Sequence, residues 1–285
     1  MMRLKDPALD FDKIIDECCL GISGNKILLD RVSNNKDYLI NQGENYLSSG
    51  KKGELHLIPP IDNSKDKDPI VINELRRSDL VKVYDQYFVA DAKPARKIYE
   101  ALLNSAKEQC PFCGGIGVPR NLDHFLPKAH FPQFSIFPRN LIPACRDCNM
   151  DGKGQKFSIN AEDQIIQPYL DNDRFFLEQW IFCKYHVGHG NIPGNFEYFA
   201  EAPNNWPAID KRRAKKHFSD FDLGRRYGIK AAERLGLVLH QIQIIRRKNL
   251  DAEVKSIVLQ PPIDSAPFLN HWTVAMHQAL IKELA

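Results

Sequence analysis

The sequence predicts an α+β protein in which a small metal-pinned unit of two strands and a helix lies within a mainly helical chain. Three observations lead to this prediction. Two cysteine pairs of identical C-x-x-C spacing, Cys110/Cys113 and Cys145/Cys148, lie in turn-rich stretches. The segment between them combines short apolar runs with Pro and Gly, which favours a hairpin of strands. Long segments on both sides carry apolar residues at helical spacing.

The four cysteines predict a structural zinc site. Two C-x-x-C turns bring four thiolates to one ion, and four sulfur ligands are the shell that zinc takes in structural sites. Such a shell leaves no open position for water or substrate. We therefore expect Cys110, Cys113, Cys145 and Cys148 to bind structural Zn²⁺, and any catalysis must occur elsewhere. Ordinary unliganded cysteine pairs are the alternative.

The segment between the cysteine pairs also carries residues suited to hydrolysis. Asp123 and His124 are adjacent in an apolar run, and Asn149 directly follows the last cysteine. A neutral imidazole is the side chain best suited to accept a water proton near pH 7. Carboxylate and amide oxygens are hard ligands that suit magnesium or manganese better than zinc. These residue types in one segment indicate an open cation site beside a general base.

Residues 110–153 closely resemble the HNH endonucleases, whose ββα-metal core cleaves phosphodiester bonds, and in particular the members with a four-cysteine zinc site. The resemblance rests on the runs C-P-F-C, L-D-H-F-L-P-K and N-L-I-P-A-C-R-D-C-N. It implies that His124 is the general base and that Asp123 and Asn149 bind the catalytic Mg²⁺ or Mn²⁺. It also implies that Asn140 braces the loop that carries the base. Many members have histidine where this chain has Asn149.

Because Asp123 and His124 are adjacent, a shared site requires a particular backbone geometry at these two residues. Neighbouring side chains of a strand point to opposite faces, so we expect a bulge or irregular backbone that turns both residues towards one site. Asn140 is expected to support this loop by hydrogen-bonding across it. His130 is a weaker candidate ligand, because its surroundings are typical of a packed loop.

Charge predicts where nucleic acid would bind. The chain has 39 basic and 36 acidic residues and a net charge of +3, so attraction to polyanions must come from local patches. Residues 211–248 contain twelve basic and three acidic residues, a pattern that also fits a solvated surface or an acidic protein partner. The predicted nucleic-acid contacts are Lys128, Arg146, Lys153, Lys211, Arg212, Arg213, Lys215 and Lys216.

The HNH resemblance and the helical segments on either side of it divide the chain into three predicted regions. They are an N-terminal helical region (1–92), the HNH core with its zinc site (93–172) and a mainly helical C-terminal region with the basic patch (173–285). The main predicted elements are helices at Phe11–Leu20, Asn73–Val89, Pro94–Glu108, Ser219–Leu223, Arg225–Leu250 and Asn270–Glu283, and an aromatic-rich strand within Asp173–Tyr185.

The remaining cysteines and the first residues predict the compartment. Cys18, Cys19 and Cys183 are left over after zinc binding, and their pattern favours free thiols over a disulfide. The chain shows no apolar stretch typical of a signal peptide or a membrane span. We therefore expect a cytoplasmic protein without membrane contact.

The sequence as a whole predicts a metal-dependent HNH endonuclease that hydrolyses DNA, with RNA as the other possible substrate. The resemblance extends to stand-alone HNH nucleases of restriction and antiphage defence, which act beside a separate ATPase. This chain has no P-loop motif, so a companion protein would supply that activity. The alternative is a zinc-stabilised nucleic-acid-binding or scaffold module without catalysis, which a DNA-nicking assay would distinguish.

Overall fold

The computed structural model describes residues 1–190 and 194–284 and has the mixed α+β architecture that the sequence predicts. The helices are α1 (Phe11–Gly21), α2 (Lys26–Asn34), α3 (Lys36–Lys52), α4 (Arg77–Lys82), α5 (Arg96–Asn104), α6 (Arg174–Leu177), α7 (Ala208–Asp220), α8 (Leu223–Arg247), α9 (Pro261–Asp264) and α10 (Trp272–Leu284). The strands are β1 (Ile70–Ile72), β2 (Leu75–Arg76), β3 (Asn121–His124), β4 (Leu141–Ala144), β5 (Ile181–His186) and β6 (Asn195–Ala200). Strand β1 pairs with β2, β3 with β4 and β5 with β6, and each pair is antiparallel.

The N-terminal helices agree in part with the sequence prediction. Helix α1 matches the predicted segment, and α5 occupies the middle of the predicted helix at 94–108. The predicted helix at 73–89 is wrong in its first turn. Asn73 has a φ of 47° in the turn between β1 and β2, so the helix begins only at Arg77. It then continues as a π-helix over Val83–Phe88.

The C-terminal region follows the predicted helices with two differences. The predicted helix at Ser219–Leu223 is wrong, because α7 ends at Asp220, and Asp222, with a φ of 49°, separates it from α8. The predicted aromatic strand forms only from Ile181, after the short helix α6. Helix α8 buries Leu235, Val238 and Ile242, which are three and four residues apart. The longest helix therefore packs one apolar face against the rest of the molecule.

Buried side chains from all three predicted regions form one continuous hydrophobic cluster. Helix α3 lies so close to the loop before β4 that a Cβ atom at Gly43 would be 2.9 Å from the Phe137 ring. The Tyr46 ring packs edge-on against Phe134 and Phe137, with centroids 5.0 and 5.1 Å away. The N-terminal helices and the β3–β4 loop thus form one packed unit, and the three region boundaries stay predictions.

Within the part of the chain that the structure describes, every helix is too short or too polar to cross a lipid bilayer.

Candidate active site

The four predicted zinc ligands lie together. Cys110 and Cys113 come from the loop after α5, Cys145 follows β4, and Cys148 lies in a second π-helix, Asp147–Lys153. Their sulfur atoms all lie within 4.8 Å of one another, and the Cys113 and Cys145 Sγ atoms are 3.9 Å apart. A tetrahedral zinc shell with bonds of about 2.3 Å separates its sulfurs by about 3.8 Å. The cluster can therefore hold a metal ion such as zinc.

Arg226 on α8 is an unforeseen neighbour of this cluster. Its Nη1 donates to Cys148 Sγ at 3.3 Å, and its Nη2 donates to Cys145 Sγ at 3.8 Å. Four thiolates around a divalent ion carry a net charge of −2, which the guanidinium partly offsets. The sequence showed Arg226 only as one member of a basic patch, because the pairing of α8 with the cysteine turns is a long-range contact.

Strands β3 and β4 form a regular antiparallel pair that holds the adjacent Asp123 and His124. Asp123 lies opposite Ile142, and His124 lies opposite Leu141. The Phe125 amide also donates to the Asn140 carbonyl at 2.8 Å, so the pairing continues past the strand end. The bulge that we expected at Asp123 and His124 is therefore wrong. Both residues nevertheless line the same cavity, at the end of the hairpin.

The ring of His124 is held by two contacts. Its Nε2 lies 2.9 Å from the Ser135 carbonyl oxygen, which can only accept, so Nε2 carries the proton and Nδ1 has the free lone pair. The Tyr84 ring packs edge-on at a centroid distance of 4.4 Å. Burial lowers the pKa of His124 to about 3, and the Lys128 and Lys153 charges act in the same direction. The imidazole is consequently neutral at physiological pH.

Asp123 is a buried carboxylate with unused bonding capacity. Its side chain is 6% exposed, its Oδ2 accepts no hydrogen bond, and Lys153 Nζ lies 3.4 Å from this oxygen. Burial raises the pKa of Asp123 to about 6, against the opposing charge of Lys153. Asn149, half-buried on the second π-helix, lines the same cavity. A residue with a carboxylate and a residue with an amide oxygen therefore line one cavity.

The structure changes the role of Lys153. Its side chain is 3% exposed, and its ammonium group donates to the His124 carbonyl oxygen at 2.5 Å. A buried ammonium held between a carbonyl and the Asp123 carboxylate cannot neutralise a substrate phosphate at the surface. The predicted nucleic-acid contact at Lys153 is therefore wrong, and this residue instead ties the π-helix to the end of β3.

Asn140 makes the cross-loop hydrogen bonds that we expected. Its Oδ1 accepts from the Leu126 amide at 2.7 Å and from the Tyr46 hydroxyl at 3.1 Å. Its Nδ2 donates to the carbonyl oxygens of Leu126 at 3.0 Å and Phe134 at 3.1 Å. The side chain is fully buried. Asn140 thus fixes both ends of the loop that connects β3 to β4.

Replacing Asn140 with alanine is expected to lower the free energy of unfolding by about 3 kcal/mol, because several buried backbone groups lose their partner. Denaturant unfolding of the zinc-loaded protein measures this difference. Asn41→Ala, at an exposed position of α3, is the matched control and should change stability by less than about 0.5 kcal/mol. Equal stability of the two variants would contradict the bracing role.

Asp123, His124 and Asn149 line a cavity of about 300 Å³ at the end of the β3–β4 hairpin. Residues that the sequence analysis did not select also line this cavity: Tyr84, Asp85, Val89 and Tyr99. No sequence signal marked them, because they precede the closely HNH-like residues 110–153 and approach the hairpin only through tertiary packing. Lys128 is the predicted nucleic-acid contact that lines this cavity in the described structure.

The predicted basic patch is largely engaged in local pairs. Arg213 is 2% exposed and forms two hydrogen bonds with the Asp171 carboxylate, at 2.8 and 2.5 Å. Its predicted nucleic-acid contact is therefore wrong, because a buried ion pair is a structural element of the core. Arg212 pairs with Glu162 at 2.6 Å, and Lys216 pairs with Asp220 at 2.6 Å.

Three other predicted contacts remain on the surface. Arg146 and Lys215 are exposed, and Lys211 donates to the Asn204 carbonyl oxygen at 2.8 Å. The nucleic-acid role of these residues stays a prediction. His130 packs its ring against Phe157 at a centroid distance of 4.9 Å, which agrees with the packed-loop interpretation.

Comparison with known proteins identifies relatives by sequence. No protein-family model matches the chain, and no solved structure matches it. Septu protein PtuB of Bacillus thuringiensis is 29% identical over 96 aligned positions, which cover 32% of this chain and 35% of that protein. Protein ea31 of Escherichia phage lambda is 34% identical over 293 aligned positions, which cover 98% of this chain and 97% of ea31. Because that similarity extends over nearly the whole of both proteins, this chain belongs to the family of phage lambda protein ea31.

Proposed function

We propose that this protein is a metal-dependent endonuclease of the HNH type that hydrolyses phosphodiester bonds of DNA. The observation that carries the proposal is the single cavity lined by Asp123, His124 and Asn149, at the junction of an antiparallel hairpin and a helical segment. These are the residues to which the resemblance assigns the catalytic roles. The names of the relatives state no activity, so the proposal depends on the site itself.

His124 is the proposed general base. The Ser135 carbonyl fixes the Nε2–H tautomer, so Nδ1 can accept a proton from the attacking water. Ser135 is itself fixed, because its hydroxyl donates to the Leu80 carbonyl oxygen of α4 at 3.0 Å. The backbone carbonyl and the Tyr84 ring therefore keep the imidazole in one orientation while it accepts the proton.

Asp123 and Asn149 are the proposed ligands of a divalent cation. The buried Asp123 Oδ2 accepts no hydrogen bond in the described structure, which fits a carboxylate that serves an ion. Two oxygen donors of this kind suit Mg²⁺ or Mn²⁺ and leave further coordination positions for water and phosphate oxygens. Such an ion would stabilise the negative charge that develops on the phosphate and the leaving oxygen. Lys153 opposes the effect of burial on Asp123 and so favours its ionised form.

The cysteine cluster has a separate, structural role in this proposal. A zinc ion with four sulfur ligands has no free coordination position. Its ligands join the loop after α5, the end of β4 and the π-helix that carries Asn149. The zinc would therefore fix the distance between the hairpin and the helix, and the hydrolytic step would belong to the oxygen-lined cavity.

The biological setting is a further part of the proposal. The resemblance to stand-alone HNH nucleases suggests restriction or antiphage defence, and the absence of a P-loop motif from the sequence assigns ATP hydrolysis to a companion protein. Co-purification of the chain from its natural host, followed by identification of bound proteins, would test this setting. A complex without an ATPase would contradict it.

Nicking of supercoiled plasmid by the purified protein tests the proposed activity. We expect conversion to open-circular DNA with Mg²⁺ or Mn²⁺ and no conversion with EDTA. Binding of DNA without cleavage under all these conditions would favour the non-catalytic binding module.

A further inference from the structure

We propose that Asp85 regulates anion binding at the candidate active site, because it pairs with Lys128 and a substrate phosphate must displace it from that pair. The inference rests on the proposed function and extends it to a residue outside the HNH-like segment. Asp85 lies on the π-helix at Val83–Phe88, outside residues 110–153, to which the close resemblance extends.

The geometry places three side chains in contact at the rim of the cavity. The Lys128 ammonium group donates to the Asp85 carboxylate and lies 4.5 Å from the centroid of the Tyr84 ring. The Tyr84 ring also packs edge-on against the His124 imidazole, with centroids 4.4 Å apart. Lys128 is thus fixed by a carboxylate and an aromatic face, one ring away from the proposed base.

The exposure of these groups allows a polyanion to reach them. The Asp85 side chain is 50% exposed and the Lys128 side chain is 27% exposed, whereas Asp123 and Lys153 are almost completely buried. Ion pairs that remain in contact with water are weak, because solvent screens the attraction. A phosphate group can therefore take the place of Asp85 beside Lys128.

The charges that line the cavity explain why Asp85 matters. The charged residues of the described lining are Asp85, Asp123 and Lys128, so two carboxylates accompany one accessible cation. The proposed function makes Asp123 a cation ligand, but it assigns no role to Asp85. Asp85 repels phosphate directly and also competes for Lys128. Removal of this one charge is therefore expected to strengthen phosphate binding on both counts.

The test measures DNA binding without cleavage. A His124→Ala background in EDTA is mixed with a fluorescein-labelled DNA oligonucleotide, and anisotropy gives Kd at low salt. Asp85→Asn preserves size and removes the charge. Lys128→Met and the double variant complete a cycle, and Asp30→Asn is the matched control. Asp30 forms an exposed ion pair with Lys26 on α2 and does not line the cavity.

We expect Asp85→Asn to lower Kd by about threefold to tenfold, and this gain should shrink as salt rises. Lys128→Met should raise Kd by a similar factor. In that background Asp85→Asn should have a smaller effect, because Asp85 no longer competes for the Lys128 ammonium group and only its direct repulsion of phosphate is removed. Asp30→Asn should leave Kd unchanged.

An unchanged or higher Kd for Asp85→Asn would overturn the inference, as would a lack of measurable DNA binding in both the background and this variant. The result is independent of the nuclease assay. Plasmid cleavage with no effect of Asp85→Asn would overturn this inference alone. Tighter DNA binding by Asp85→Asn together with a wild-type protein that does not cleave plasmid would overturn the nuclease proposal. The inference that Asp85 opposes anion binding would remain valid.

Discussion

His124→Ala is expected to lower the rate of plasmid cleavage by about 10²–10⁴-fold, the usual contribution of a positioned general base. The structure gives the physical reason. The imidazole is neutral, its Nε2–H is committed to the Ser135 carbonyl, and its Nδ1 is the atom left to accept a proton. The rate of nicking at saturating Mn²⁺ measures the loss.

A loss of folding must be separated from this loss of chemistry. Removal of the ring leaves the buried Ser135 carbonyl without its donor, which costs about 1–3 kcal/mol. His124→Gln keeps an N–H donor at this site but lacks an imidazole, so we expect near-native stability and the same loss of rate. His186→Ala, at an exposed position of β5, is the control that should keep full activity. Cleavage by His124→Gln within threefold of the wild-type rate would refute the role of His124.

Cys148→Ser is expected to abolish zinc binding and with it the cooperative folding of the region around the hairpin. Cys148 is fully buried beside the three other cysteines of the cluster, and its π-helix also supplies Asn149 and Lys153. Zinc binding contributes on the order of 10 kcal/mol in small zinc-dependent domains, which is comparable with the whole stability of a typical protein. Zinc content and the midpoint of thermal unfolding measure the two effects.

A cysteine outside the cluster is the control for this experiment. Cys183 lies half-buried on β5, and Cys183→Ser is expected to keep the zinc content and most of the stability. EDTA treatment of the wild-type protein at raised temperature should reproduce the behaviour of Cys148→Ser. A Cys148→Ser protein with unchanged zinc content and unfolding midpoint would show that the cluster binds no structural metal.

The sequence predicts the cysteine cluster and the β3–β4 hairpin well, because their signals are local. Each C-x-x-C spacing brings two sulfurs together without help from distant residues. The Asn140 hydrogen bonds are also predictable, since the residue belongs to the same loop that it supports.

Other features of the site depend on distant parts of the chain. The sequence predicts Lys153 and Arg213 to be surface cations, but both are buried. Each is paired in the fold with a carboxylate from another part of the chain, Lys153 with Asp123 and Arg213 with Asp171. The wall formed by Tyr84 and Asp85 comes from a segment that the sequence predicts as a plain helix. Hydrophobic periodicity predicts which face of an element is buried, but not which partner it meets.

The most direct test of the account separates its two metals. Protein with one zinc per chain is dialysed against EDTA at low temperature, its retained zinc is measured, and plasmid nicking is assayed before and after Mn²⁺ or Mg²⁺ is added. The account predicts that zinc stays bound, that nicking is absent without the added ion, and that the added ion restores it. Nicking that follows zinc content and ignores the added ion would contradict the separation of a structural cysteine cluster from an oxygen-lined catalytic site.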